Sequence, residues 1–128
     1  MSIKPLVPAG SAPPLAPYSP GVKAGNTIYV SGMLSLDRDG KVVGIDDVRA
    51  QTRHILESIK AVLAEGGAKM SDIALNQIFI KNLDDYAAVN EVYKTYFPSP
   101  APARYCIRAD LVKPEFLVEI ASTAYIGE

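Results

Sequence analysis

Tryptophan is absent from these 128 residues, and cysteine and histidine occur once each, as Cys106 and His54. One histidine and one cysteine cannot supply the three or four ligands of a zinc site. A lone cysteine forms no disulfide within the chain, which fits a reducing cytoplasm. Glycine-rich nucleotide signatures are missing too, both G-x-G-x-x-G and the P-loop. No metal and no cofactor is therefore expected. Thirteen basic and fourteen acidic residues leave a formal charge of −1, without a basic run. Non-specific nucleic-acid binding has no electrostatic footprint here. No apolar run is long enough to cross a bilayer, and the start lacks a signal-peptide pattern. The length suits one domain, 1–128, with its own core.

What is present begins with proline. Six of the ten prolines fall in the first twenty residues. Proline fixes φ and removes a donor, so this stretch reads as an extended lead-in with at most a short edge strand near Ile3 to Val7. Thr27 to Ser31 is a strand by its β-branched and aromatic content. Asp37-Arg38-Asp39-Gly40 marks a turn, so Leu34 to Val43 reads as a hairpin. The spacing of Val48, Thr52, Ile55, Leu56, Ile59, Val62 and Leu63 predicts a helix over 46–65, with Gly66-Gly67 as its stop. On that wheel His54 lies nearly opposite the apolar stripe and is expected in solvent. Ile73 to Ile80 is a strand whose two faces both carry apolar residues. Leu83 to Phe97 is a second helix, with Tyr86, Val89, Tyr93, Tyr96 and Phe97 on its stripe. Two further strands follow, around 102–107 and from Leu117 to Ile126.

The order gives an α+β fold: one mixed sheet with two helices on one face. The helices are expected on the side of Ile28, Val30, Ile107, Val118, Ile120 and Ala124. The other side is expected to carry Tyr29, Ser31, Met33, Arg104, Cys106, Leu117, Glu119, Ala121 and Thr123. That second surface is too apolar for water and too polar for a dry core, which points to a subunit interface with a pocket in it.

Arg104 and Glu119 are the charged residues inside the last two apolar runs. Such charges are uncommon unless partnered or employed. They read either as a structural ion pair or as an anion site, in which Arg104 grips a carboxylate with its planar fork and Glu119 handles a proton or a water. For the other candidates the plainer readings are a surface-packed ring for Tyr18, a small strand residue for Ser31 and a half-buried amide for Asn90. Cys106 has no histidine or helix N-terminus in view to activate it, and reads as a small pocket-wall thiol.

Pro17-Tyr18-Ser19, Tyr29-Val30-Ser31-Gly32, Asn90, Pro102-Ala103-Arg104-x-Cys106-Ile107 and Val118-Glu119-Ile120 resemble the Rid family of reactive intermediate deaminases across essentially the whole chain. Pro8-Ala9-Gly10-Ser11, Gln51-Thr52-Arg53-His54 and Leu111-Val112-Lys113-Pro114 are similar to the branch that acts on 3-aminoacrylate in pyrimidine breakdown. The resemblance implies a chorismate-mutase-like subunit, a homotrimer with sites between neighbours, and cofactor-free hydrolysis of enamine or imine acids with release of ammonia. It implies that Arg104 holds the substrate carboxylate and that backbone groups at Arg104 and Cys106 orient the nitrogen end. Glu119 would position water or move its proton, and Tyr18, Ser31 and Asn90 would line or support the pocket. Met33 departs from the glutamine that many members carry there. The rival reading is a non-catalytic binder of small carboxylates such as 2-ketoacids. RNA cleavage, linked to some relatives, finds no support in the charge or the aromatic pattern.

Overall fold

The computed structural model describes residues 2–127. Six strands form a single mixed sheet, and two helices cover one of its faces. The strands are β1 (Lys4–Leu6), β2 (Gly21–Ala24), β3 (Thr27–Met33), β4 (Ile73–Ile80), β5 (Ala103–Arg108) and β6 (Val118–Tyr125). The helices are α1 (Val48–Glu65) and α2 (Tyr86–Tyr96). The spatial order is β1-β2-β3-β6-β4-β5. Only β4 and β5 run parallel, and α2 is the crossover that a parallel pair requires.

Local chemistry sets the boundaries. The Asp47 side chain accepts a hydrogen bond from Ala50 N–H (3.0 Å), which starts α1 two residues later than the apolar spacing predicts. Leu83–Asp85 forms a 3₁₀ turn, so the second helix proper begins at Tyr86. β2 was not expected from the sequence. It is short and led by glycine, and it pairs with β3 around Gly25-Asn26, where Gly25 takes a φ of 59°. The stretch expected as a hairpin over 34–43 is mostly loop, with one bridge from Leu36 to Val42. His54 is not solvated as its place on the wheel implied. Its Nε2–H donates to the Leu36 carbonyl (2.8 Å) and ties this loop to α1.

Ile28, Val30, Ile73, Ile78, Ile80, Val118, Ile120 and Ala124 from the sheet meet Ile55, Ile59, Leu63, Val89 and Val92 from the helices. Each fully buried aliphatic side chain contributes on the order of 1.5–3 kcal/mol, so this layer holds the helices to the sheet. A β-bulge at Ala74 shifts the phase of β4, which puts Ile73 and Asn76 on the same, inward side. Gln51 is also buried. Its amide donates to the Gly44 and Glu115 carbonyls and accepts from Leu117 N–H, pinning the approach to β6.

The opposite face of the sheet carries Gln77, Phe79, Tyr105, Ile107, Ala121 and Thr123, paired across β5, β4 and β6. Tyr29, Tyr105, Ile107 and Tyr125 are each about half exposed there. Three placements here correct the sequence expectation, and one is Met33, which pairs with the buried Ile120 and packs against the core, not on the open face. Ile107 lies on this open face, 49% exposed, and not under the helices. Leu117, expected on the open face, packs against the core beside the buried Gln51.

Candidate active site

Arg104 sits on β5, the edge strand, opposite Asn76 of β4. Paired residues of adjacent strands point to the same side, so Arg104 and Cys106 project with Asn76 and Ile78 toward the helices. This corrects the sequence expectation, which placed both on the face of Glu119. The reason lies in α2. Tyr86, Asn90 and Tyr93 recur at helical spacing and turn one face of that helix to β5. Arg104 Nη2 donates to Asn90 Oδ1 (2.7 Å) and to the Tyr86 hydroxyl (3.1 Å). The guanidinium carbon stands 4.8 Å from the centre of the Tyr93 ring, within cation–π range.

A buried polar chain supports this arrangement. The Tyr93 hydroxyl accepts from Asn76 Nδ2 (2.9 Å), and Asn76 Oδ1 accepts from Ser122 Oγ (2.6 Å). Asn76 and Ser122 are buried, and no buried side-chain polar atom among the described residues lacks a partner. A satisfied network of this kind fixes side-chain positions. The arginine is thus held by protein groups that are neutral. Among the described residues the one ion pair is Arg49 with Glu91, so Arg104 has no carboxylate of its own.

Glu119 lies on β6 opposite Phe79, and therefore on the open face. A β-bulge lifts Ser31 and Gly32 of β3 out of register with β6. The missing side chain of Gly32 makes room for the Glu119 carboxyl, which occupies the space a Cβ there would need. Burial raises the Glu119 carboxyl above its ordinary proton affinity. Glu119 shares an open cleft of about 550 Å³ with Leu15, Tyr18, Ser31, Leu34, Val112 and Lys113. Ser31 Oγ donates to the Ser19 carbonyl (2.6 Å), fastening the loop that carries Tyr18. A second cleft, about 530 Å³, lies behind Tyr18 and Ser31 against α1 and includes neither Arg104 nor Glu119.

The candidate residues thus fall into two groups. Arg104, Asn90 and Cys106 gather at the β5 edge, and Glu119, Tyr18 and Ser31 gather at the cleft. β4 lies between β5 and β6, so the two charged residues are not on neighbouring strands. Three residue steps along the strands and two strands across put their backbones roughly 14 Å apart, with side chains on opposite faces. A three-carbon acid cannot span that gap within one chain. The Cys106 thiol is pushed up, mainly by burial, although the nearby Arg104 pulls the other way. It stays protonated at neutral pH, packs against the core and lines neither of the two clefts.

Sequence reasoning missed Asn76, Ser122 and Gly32, and it read Tyr86 and Tyr93 as plain core. The detectable signal was Tyr86, Asn90 and Tyr93 at i, i+4 and i+7, three polar-tipped side chains on one helix face.

This mixed sheet with two helices on one face is the architecture of the Rid proteins. Residues 9–126 match the family described as endoribonuclease L-PSP, the Rid family, and the chain belongs to it. It is 50% identical over 121 residues to the 3-aminoacrylate deaminase RutC of Acinetobacter baylyi, covering 94% of this chain and 96% of that one. The crystal structure of the Rid-family protein YyfA from Yersinia pestis superposes with a TM-score of 0.90 at 29% identity, covering 98% of this chain and 100% of that one. The YjgF gene product of E. coli does so with a TM-score of 0.86 at 31% identity, covering 95% and 98%.

Proposed function

We propose that this protein hydrolyses small enamine and imine acids, 3-aminoacrylate in particular, to the carbonyl acid and ammonia, at sites shared between two copies of the chain. The observation that carries this reading is the division just described. A neutral-held arginine waits on the helix side of an edge strand, and a half-buried carboxyl waits on the open face of the same sheet. Neither half works alone on a small acid. The half-exposed aromatic and aliphatic residues of the open face call for a cover, and a cyclic homotrimer supplies one from a second copy. Its Arg104 would then meet the neighbour's cleft. The named activity of the Acinetobacter relative supports the choice of substrate.

In this reading Arg104 seats the substrate carboxylate, using the hydrogens of its fork. The enamine takes a proton at carbon and becomes an imine. Water adds to the imine carbon to give a carbinolamine, and its C–N bond breaks as the nitrogen leaves as ammonia. Glu119, with its raised proton affinity, shuttles the protons among water, carbon and nitrogen. Tyr18 and Ser31 shape the cleft around it, and Asn90 fixes Arg104. The reaction runs downhill, so placement plus one acid–base group supplies the modest acceleration it needs.

Timed ammonia release from freshly generated 3-aminoacrylate separates an enzyme from a carboxylate binder. Arg104→Lys keeps the charge but loses the fork, and kcat/KM should fall by roughly tenfold to a hundredfold. Arg104→Ala and Glu119→Ala, each inactive alone, should recover activity when unfolded and refolded together. Random mixing in a cyclic trimer leaves about a quarter of the sites with both groups. No recovery from the mixture, or a solution mass of one chain, rejects the shared site.

A further inference from the structure

We propose that Tyr86 is part of the carboxylate clamp: its hydroxyl holds the substrate's place on Arg104 in the free protein and donates a hydrogen bond to the carboxylate once it binds. The substrate's identity here rests on the deaminase reading above. Arg104 Nη2 carries two hydrogens, and both are taken, by Asn90 Oδ1 at 2.7 Å and by the Tyr86 hydroxyl at 3.1 Å. A carboxylate grips a guanidinium two-pronged either at Nη1 with Nη2 or at Nε with Nη2. The side chain itself blocks the third edge. Both open edges use Nη2, so a bidentate carboxylate must take a hydrogen from one of the two protein acceptors.

Tyr86 is the one that yields. Its bond is the longer, and its ring is 46% exposed at the first residue of α2, whereas Asn90 is half-buried and close. Among the described residues no acceptor takes the hydroxyl's own hydrogen. Rotation about one C–O bond converts the hydroxyl from acceptor to donor, aimed at the oxygen that displaced it. The arriving anion then meets three donors, two from the fork and one from Tyr86. Tyr93 differs: its hydroxyl is committed to Asn76 in the core, and it offers Arg104 only a ring face. Tyr86 is thereby a specificity residue, selecting a carboxylate over an amide, whose nitrogen has no lone pair for the third donor.

The test is Tyr86→Phe, which keeps the ring and removes the donor. Calorimetric titration with propionate, a stable three-carbon carboxylate, should show binding to the parent protein and about tenfold weaker binding to the variant. Propionamide should bind both equally poorly. KM for 3-aminoacrylate should rise by about the same factor, with kcat within about twofold. Equal or tighter propionate binding by the variant overturns the proposal, as does a fall in kcat with KM unchanged. Failure of the parent to bind propionate at millimolar concentration, or undiminished binding by Arg104→Met, also overturns it. Propionate binding needs no turnover. A chain that binds it through Tyr86 but releases no ammonia sinks the deaminase reading and leaves this one standing.

Discussion

Gly32→Ala puts the roles of the bulge and of Glu119 to the sharpest test. Gly32 has no positive φ, so alanine meets no backbone strain there. The new Cβ runs into Glu119 Oε2 and lies 3.1 Å from its Cδ. The obstructed atoms belong to the end of a flexible side chain, so the carboxyl moves and the backbone stays. Forcing it off its rotamer costs about 0.5–1.5 kcal/mol. Replacing glycine recovers about 0.4–1 kcal/mol by narrowing the unfolded ensemble. The net change is within about 1 kcal/mol, and Tm should move by less than about 5 °C. Activity responds differently. A displacement near 1 Å of a positioned acid–base group costs on the order of a hundredfold. The assay pairs kcat for ammonia release with thermal unfolding by circular dichroism. A folded variant whose kcat stays within about threefold of the parent would refute the reasoning, because the glycine would then not be there for the carboxyl.

Two further outcomes follow from proton affinities. The folded-state pKa of Glu119 is raised, by burial, above its value in the unfolded chain. The native state therefore binds more protons than the unfolded state between those two values, and stability falls as pH rises through that window. Glu119→Gln, which cannot ionise, should abolish the fall, so its urea midpoint gains on the parent's above the ordinary carboxylate range and loses that gain below it. A pH-independent difference would mean that Glu119 is not desolvated. Cys106→Ala should keep kcat within about threefold, since burial holds the thiol protonated. Alkylation of the parent by iodoacetamide at neutral pH should be slow. A thousandfold loss in the alanine variant would make Cys106 a nucleophile after all.

Periodicity made most elements legible. β4 falls on Ile73–Ile80, the bounds its apolar run suggested although both its faces are mixed, and the stripe of α1 is buried as spaced. The elements that escaped are those whose signal is not periodic. β2 is four residues beginning with glycine. The bulges at Ala74 and at Ser31-Gly32 each shift phase by one residue; no residue type announces the first, and only the lone glycine inside β3 hints at the second. The choice of face for β5 was inverted for a different reason. Alternation separates Arg104 and Cys106 from Tyr105 and Ile107 correctly, but it does not say which pair faces inward. Hydrophobicity votes for Ile107. That vote assumes that the one apolar layer is the layer under the helices.

The inversion bears on how the site is built. Had Ile107 faced α2, Arg104 would stand on the open face with nothing but solvent to orient it. As the chain folds, three side chains of α2 and the Asn76–Ser122 chain hold the guanidinium before any ligand arrives. An arginine in a sheet edge loses much of its rotamer freedom only when packed on both sides, and that loss is borne during folding and not during binding. The same choice leaves Tyr105 and Ile107 outward, next to Phe79, which meets Tyr105 edge-to-face at 6.4 Å. One decision about strand phase thus creates both the rigid cation and the apolar surface beside it. A mutation that buries β5 the other way would remove the clamp and the proposed subunit contact together. The two functions should therefore fail as a unit in variants of β5, and separately in variants of α2, where Asn90→Ala loosens Arg104 and leaves the outward residues untouched.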